Sequence, residues 1–522
     1  MMKTYFKIIL VLFAIVLING CGILNLHTRN FNDATLIVPD SISKYLFFLA
    51  SDSLKGRNTP SEGLDIAAEY IASNFKKFGL KPAGENYFQN FNLVITNLGS
   101  ENHLKILKNG NINDFQIKQD FTPFEMTANA EVKAPLVFAG YGIKSKAHNY
   151  NDYQNIDVKG KIVLVLRHEP GEEDSTSIFD GKKSTEYSNV SQKVKIAIEE
   201  GAIGVLVVTD PLNHSNLTPR GFPWPSLSKT IPPDALPMTL NLNEPKVPVV
   251  QVGESVIELL FGSIDSLKNI QARIDSTLQP VSFEFSDIEV NLKTSTIVTE
   301  KATKNVAAYI EGADQELKNE VVVIGAHYDH VGYRRNSEPG TDSIYNGADD
   351  NASGTTGVLA IAKAFSELNT KPKRTVLFLA FAGEEKGLLG SKYYVNFPLF
   401  PIEKTVVMLN LDMIGRNNED SLFVIGASHS PDLLRIVEEE NKNINFTLVT
   451  SNEYFVGGSD HASFYRRDVP VLFFFTGEHQ DYHKVTDHAE FINTKKLARV
   501  SRLAFRTAWR IANENKHYKL IK

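Results

Sequence analysis

The amino-acid sequence predicts an α/β protein in which a mostly parallel sheet lies between helices and a smaller β-rich module is inserted. Apolar, strand-like runs at 321–324, 375–381, 406–411 and 469–475 alternate with helix-like segments, the order that builds a parallel sheet. Imidazole and carboxylate side chains stand just past the ends of those runs, where open α/β sheets place their sites. Between 129 and 285 the pattern changes to short strands and long polar, proline-containing connections. A chain of 522 residues has room for two such cores.

The first residues belong to neither core. Lys3 and Lys7 lead into an unbroken apolar run over 8–18. That run of eleven residues is too short to cross a bilayer as a helix, which takes about 20. Residues 1–20 therefore read as a signal peptide. They end in Ile18-Asn19-Gly20-Cys21, which resembles a bacterial lipoprotein cleavage box with Cys21 as the lipid-bearing residue. The resemblance implies a protein anchored by lipid in the bacterial cell envelope and facing the periplasm or the exterior. Cys21 is also the only cysteine, which excludes a disulfide framework. Removing residues 1–20 takes away Lys3 and Lys7 and moves the net charge from −6 to −8. No basic tract stands out, so nucleic acid is not an expected partner.

Residues 21–34 read as a tether, and 35–128 as the first part of the main domain. A short helix is expected over 41–54, with Ile42, Tyr45, Leu46 and Leu49 at helical spacing. A clearer one spans 62–78, where Leu64, Ala67, Ala68, Ile71, Phe75 and Phe78 form a stripe that Gly79 ends. In the insert, 135–142, 157–166 and 204–208 read as strands, with a helix at 194–200. The stretch 210–250, which carries Pro223-Trp224-Pro225, is expected to be a long loop that reaches the site and limits substrate size. His148, His168 and His214 lack ligand spacing and read as surface or structural residues. The main domain resumes over 286–522. The strand at 321–324 leads to His327, and a helix over 355–368 follows Gly347-Ala348-Asp349-Asp350-Asn351-Ala352-Ser353-Gly354. The strand at 375–381 leads to Glu384-Glu385, that at 406–411 to Asp412, and the last to the loop that carries His483.

Imidazoles and carboxylates together suit borderline metals such as zinc. His327, an Asp of the 349–350 pair, a Glu of the 384–385 pair, Asp412 and His483 are more ligands than one tetrahedral zinc takes. They suit two ions about 3.5–4 Å apart that share a carboxylate. A spare Glu beside a ligand Glu supplies a general base. Asp329, two residues after His327, is placed to accept from the other ring nitrogen of that His and fix its tautomer. Tyr482 is placed to donate to a developing oxyanion.

This order of motifs resembles the co-catalytic di-zinc aminopeptidases, metallopeptidase family twenty-eight, from about Ser41 to the C-terminus. The resemblance implies a zinc-exopeptidase-like α/β/α sandwich and two zinc ions per chain. It implies that His327 binds one ion, that Asp412 binds one and His483 the other, that Glu385 is a further ligand, that Asp350 bridges and that Glu384 is the base. Asp349 is the other candidate bridge, read as a turn residue. His330 reads as a structural neighbour, His479 and His488 as loop residues, and Ser459 or Asp460 as either a pocket element or a helix N-cap. Within the insert, GYG, DVKGKIVLV and EEGAIGVLVV resemble the protease-associated domain. The function implied is removal of N-terminal residues from peptides. A glutaminyl-cyclase-like single-zinc acyltransferase, a carboxypeptidase and a scaffold with a decayed site are the alternatives.

Overall fold

The computed structural model describes residues 33–182, 184–231, 236–242, 246–334, 338, 340–451 and 456–521. The expected signal peptide, Cys21 and most of the tether lie outside them. The chain divides into one unit of residues 1–91 with 302–522 and a second of residues 92–301.

The sheet of the first unit is built on four strands that are buried along their whole length: Thr375–Phe381, Val321–His327, Thr405–Leu411 and Val471–Phe475. They lie side by side in that order and are mutually parallel. Unbroken apolar runs are what a sheet covered on both faces requires. Antiparallel strands flank them, Thr296–Ile310 on one side and Ser421–Ile425 on the other. Successive side chains of a strand point to opposite faces, and Thr375–Phe381 shows what covers each. Leu377, Leu379 and Phe381 share a core with Tyr394, Val395 and Phe464. On the opposite face Phe378 meets Phe75 and Phe365, from the helices Glu62–Lys77 and Gly354–Ser366, with ring centroids 6.3 and 5.9 Å apart. The result is the expected α/β/α sandwich.

Two local features differ from expectation. The helix expected over 41–54 is Pro39–Leu49 and stops short of residue 54. Beyond it Lys55, Gly56 and Arg57 all take positive φ, at 47°, 67° and 48°. A Cβ on Gly56 would lie 2.1 Å from the Gly332 carbonyl oxygen, so only glycine fits. The C-terminal helix Thr494–Asn513 was not anticipated. Asn493 caps it by accepting from the Lys496 backbone N–H at 3.0 Å. Its buried stripe Leu497, Val500, Ala504, Ala508 and Ile511 has helical spacing, and Phe505 packs edge-on against Phe365 at 5.1 Å.

The second unit carries an eight-stranded sheet. At its centre Ala130–Ala139, Ile162–Leu166, Gly204–Val208 and Val249–Val252 run parallel. Leu136, Phe138, Ile162, Leu164, Leu206 and Val208 face one core. Val137, Ala139, Val163, Val165, Val205 and Val207 face the other. The unit is wider than the expected 129–285. His103–Lys108 and Asn111–Phe115 add to the sheet through Ser282–Thr294, and Phe121–Pro123 pairs with Val249–Val252. Of those outer strands, Asn111–Phe115 is largely polar and Phe121–Pro123 is three residues long, so pairing reveals their membership. The Trp224 indole does not project from the long loop. It is buried and donates its Nε1–H to the Pro123 carbonyl at 2.8 Å within the same unit. His148 bonds Ser145 at 2.8 Å and stacks on Phe179.

Candidate metal centre

Parallel pairing sets the first ligands side by side. Gly325 is in register with Asn410, so His327 and Asp412, each two residues further on, end adjacent strands at one level. His327 Nε2 lies 3.4 Å from Asp412 Oδ2 and 3.3 Å from Asp350 Oδ1. The other oxygen of Asp350 lies 3.0 Å from His483 Nε2, which is itself 3.1 Å from Glu385 Oε2. The donors thus fall into two groups, with one carboxylate turned toward both. Glu384 belongs with His327 and Asp412, their donor atoms lying within 4.8 Å of one another.

Loops and buried polar groups hold this arrangement. The peptide N–H groups of Asp349 and Asp350 both donate to Asp487 Oδ2, at 2.9 and 3.2 Å. Asp349 turns away from the ligands: its Oδ1 accepts from the Gly415 N–H at 2.7 Å, and its Oδ2 lies 3.4 Å from His479 Nε2. Asn351 Oδ1 accepts from the Gly354 and Met413 N–H groups, tying the turn to the Asp412 strand. Ser459 Oγ donates to Asp412 Oδ2 at 2.7 Å and accepts from Asn410 Nδ2 at 2.8 Å. Neither Ser459 nor Asp460 caps the helix His461–Tyr465 through its side chain; Ser459 orients a ligand instead. His330 Nδ1 lies 2.7 Å from Glu385 Oε1 and so steadies that carboxylate. His488 pairs with Asp342 at 3.1 Å.

Asp329 differs in detail from expectation. His327 Nδ1 lies 3.2 Å from the Asp329 carbonyl oxygen and 3.7 Å from its Oδ1. The Asp329 carboxylate instead accepts from the Glu384 N–H at 3.1 Å and from Thr59 Oγ1 at 3.0 Å. It therefore fixes the backbone that carries Glu384. Tyr482 stacks on the His483 ring with centroids 4.0 Å apart. It lines a pocket with His327, Asp350, Glu384 and Asp412. Burial, followed by the charges of Asp350 and Glu385, raises its phenol, so it stays a proton donor.

Arg57 carries no metal-ligand chemistry and was not singled out as a site residue. It is buried and donates to the carbonyls of Tyr328 at 2.9 Å, Asn346 at 2.7 Å and Gly347 at 3.1 Å, and also to that of Leu49. Those peptides adjoin His327 and Asp350. Burial lowers its pKa to about 10, although Asp329 and Asp350 oppose the shift, so the guanidinium is charged at neutral pH. Its backbone partners beside His327 and Asp350 are remote in sequence, as are those of Asp487.

The electrostatics fit cations. Asp350, Glu384, Glu385 and Asp412 converge on His327, His330 and His483, with the buried Arg57 guanidinium adding a positive charge nearby. Burial raises Glu384 well above the usual carboxylate range; His327 opposes this, while Asp460 and Asp412 add to it. Burial also raises Asp412, against the pull of His327. Among the described residues, Asp412 Oδ1 is buried with no hydrogen-bond partner. An uncompensated buried carboxylate oxygen is costly unless it binds an ion.

A parallel α/β sandwich with a buried carboxylate and imidazole cluster at its strand ends defines a protein built around a candidate metal centre. Residues 305–508 match the model of peptidase family M28, and residues 132–260 match the PA domain. The chain thus contains a segment that matches peptidase family M28, with a PA-domain match ahead of it. Leucine aminopeptidase 2 of Trichophyton rubrum is 31% identical over 202 residues, covering 36% of this chain and 37% of the relative. The matched stretch is thus little more than a third of that fungal protein. Aminopeptidase YwaD of Bacillus subtilis is 24% identical over 408 residues, 76% of this chain and 70% of the relative. Among solved structures, an aminopeptidase from Aneurinibacillus sp. strain AM-1 aligns over 93% of this chain and 97% of its own at 20% identity, with a TM-score of 0.49.

Proposed function

We propose that the protein is a zinc-dependent aminopeptidase that hydrolyses N-terminal residues from peptides, with two zinc ions in its catalytic centre. The observation that carries this reading is the two-sided contact of Asp350, one oxygen facing His327 and the other facing His483. His327 and Asp412 would hold one ion, Glu385 and His483 the other, with Asp350 shared. When bound, such a pair acidifies a water and polarises the scissile carbonyl. Glu384 takes the proton of the attacking water and delivers it to the departing amine. Tyr482 donates a hydrogen bond to the carbonyl oxygen as negative charge gathers there. Thr59 and Asp329 keep the Glu384 peptide in place.

The pocket wall supports the amino end of a peptide over the carboxyl end. Met413, Phe473 and Phe475 offer an apolar surface for one side chain, and Glu478 lines the same pocket. A carboxylate there attracts a substrate ammonium and repels a terminal carboxylate. The shared carboxylate favours two ions over the single zinc of a glutaminyl-cyclase-like acyltransferase. The test combines metal analysis of the freshly purified protein with a mass-spectrometric screen of peptides bearing free or blocked N-termini. Two zinc ions bound at the Asp350 centre and cleavage confined to free N-termini are expected. A single ion at that centre, or equal cleavage of blocked peptides, would overturn the reading.

We also propose cleavage before Cys21 and lipidation there, on the strength of the basic, apolar and Ile18-Asn19-Gly20-Cys21 sequence. Cys21→Ser should move the protein from the membrane to the soluble fraction. A mature protein that keeps residues 1–20 would refute this anchor.

A further inference from the structure

His168 and His214 lack ligand spacing in the sequence, yet the second unit brings them together. Leu166 ends one strand and Val208 the neighbouring one, and the two are in parallel register. His168 and Asp210, each two residues beyond, therefore emerge side by side. Glu172 and His214, four residues further along each loop, complete the cluster. We propose that His168, Glu172, Asp210 and His214 form a further binding site for one divalent transition-metal ion of the zinc type.

The geometry carries this assignment. Asp210 Oδ2 lies 2.9 Å from His168 Nδ1 and 3.5 Å from His214 Nε2. Glu172 Oε2 lies 2.9 Å from His214 Nε2 and 4.0 Å from His168 Nδ1. Ligands of a tetrahedral zinc, at about 2.0–2.1 Å from the ion, stand about 3.3 Å from one another. The four separations bracket that value. Two imidazoles with two carboxylates suit zinc and its neighbours better than calcium or magnesium, which take oxygen ligands.

The surroundings are built to hold these groups still. Asp210 is buried and accepts from the His168 peptide N–H at 3.0 Å through its other oxygen. Lys193, also buried, donates to the carbonyls of His168 and Tyr141, at 2.6 Å each. The two imidazole rings stack with centroids 4.3 Å apart, so both present nitrogens to the same pair of carboxylates. A bound ion would clip together the loops that follow two adjacent strands.

The test uses the full chain and zinc alone as the probe. Equilibrium dialysis with elemental analysis would compare Asp350→Ala, in which the catalytic centre is disabled, with Asp350→Ala/His214→Ala. The expected result is one zinc fewer per chain in the double variant. Cobalt substituted into Asp350→Ala should give the visible absorption of a tetrahedral ion, lost in the double variant. His214 is partly exposed, at 35% of its side chain, and Glu172→Gln provides a second, gentler variant that should weaken zinc binding by about 10-fold or more. Equal zinc content with and without His214, together with unchanged affinity in Glu172→Gln, would overturn the proposal.

Discussion

Two clusters in this protein are built by the same device and differ in how visible they are. In each, a His and an Asp stand two residues beyond a register pair on neighbouring parallel strands: His327 with Asp412, and His168 with Asp210. Adjacent strands are about 4.8 Å apart, so residues leaving them at one level meet however far apart they are in sequence. The first cluster adds a third carboxylate source, the 347–354 turn, and gathers four carboxylates around its imidazoles. The second has two carboxylates and two imidazoles, partly exposed. The difference teaches that strand-end pairing makes a ligand pair, and that a catalytic centre needs a surplus: a shared carboxylate and a base left over.

The largest expected effect comes from Asp350→Ala. Losing the carboxylate that faces both groups should reduce peptide hydrolysis to background while one zinc equivalent stays with the His168 cluster. Retention of measurable turnover would mean that the two groups do not act as one centre. Glu384→Gln should separate binding from chemistry: both catalytic ions stay, and turnover falls about 10²–10⁴-fold, the usual share of a proton-transfer group. Near-normal turnover with full metal content would place the base elsewhere. Ser459→Ala removes the hydroxyl that orients Asp412, and such supporting contacts are typically worth about 10–100-fold in metal affinity. A competitive chelator titration that returned wild-type affinity would show Ser459 to be packing alone.

The smallest effect is on the second unit and depends on pH. Burial raises the Asp152 carboxyl to about 7, although the Ile143 N–H and Tyr150 hydroxyl that bond it oppose the shift. A folded-state pKa above the unfolded one, about 3.9, means that the folded state binds more protons between the two values. The stabilisation is complete below the unfolded value and is lost as pH rises through 7. Urea unfolding followed from pH 4 to 8 should therefore show a falling stability that Asp152→Asn flattens. Parallel pH profiles for the two proteins would contradict this.

Much of the first cluster was legible because each ligand follows a recognisable local pattern. An apolar strand ends at His327, another precedes Glu384-Glu385, and a third precedes Asp412. The helix Glu62–Lys77 was legible for a similar reason, its apolar stripe and end signals being local. The outer strands of the second unit were not, since Asn111–Phe115 is largely polar and Phe121–Pro123 is three residues long, and pairing with His103–Lys108 and Val249–Val252 makes them strands. Arg57 and Asp487 act on backbone groups nearly 300 and about 140 residues away, as in Arg57 to Gly347 and Asp350 to Asp487, so nothing near them in sequence announces their partners.

The sequence by itself determined which side chains could bind a metal, the strands that carry them and the order in which they come. Tertiary structure alone decided which oxygen of Asp350 faces which imidazole, that Asp349 turns away toward Gly415, and that Ser459 serves Asp412. It also decided that His168 and His214 meet at all. The physical reason is that composition and periodicity are properties of neighbours along the chain, whereas strand order and register are chosen by the burial of whole sheets.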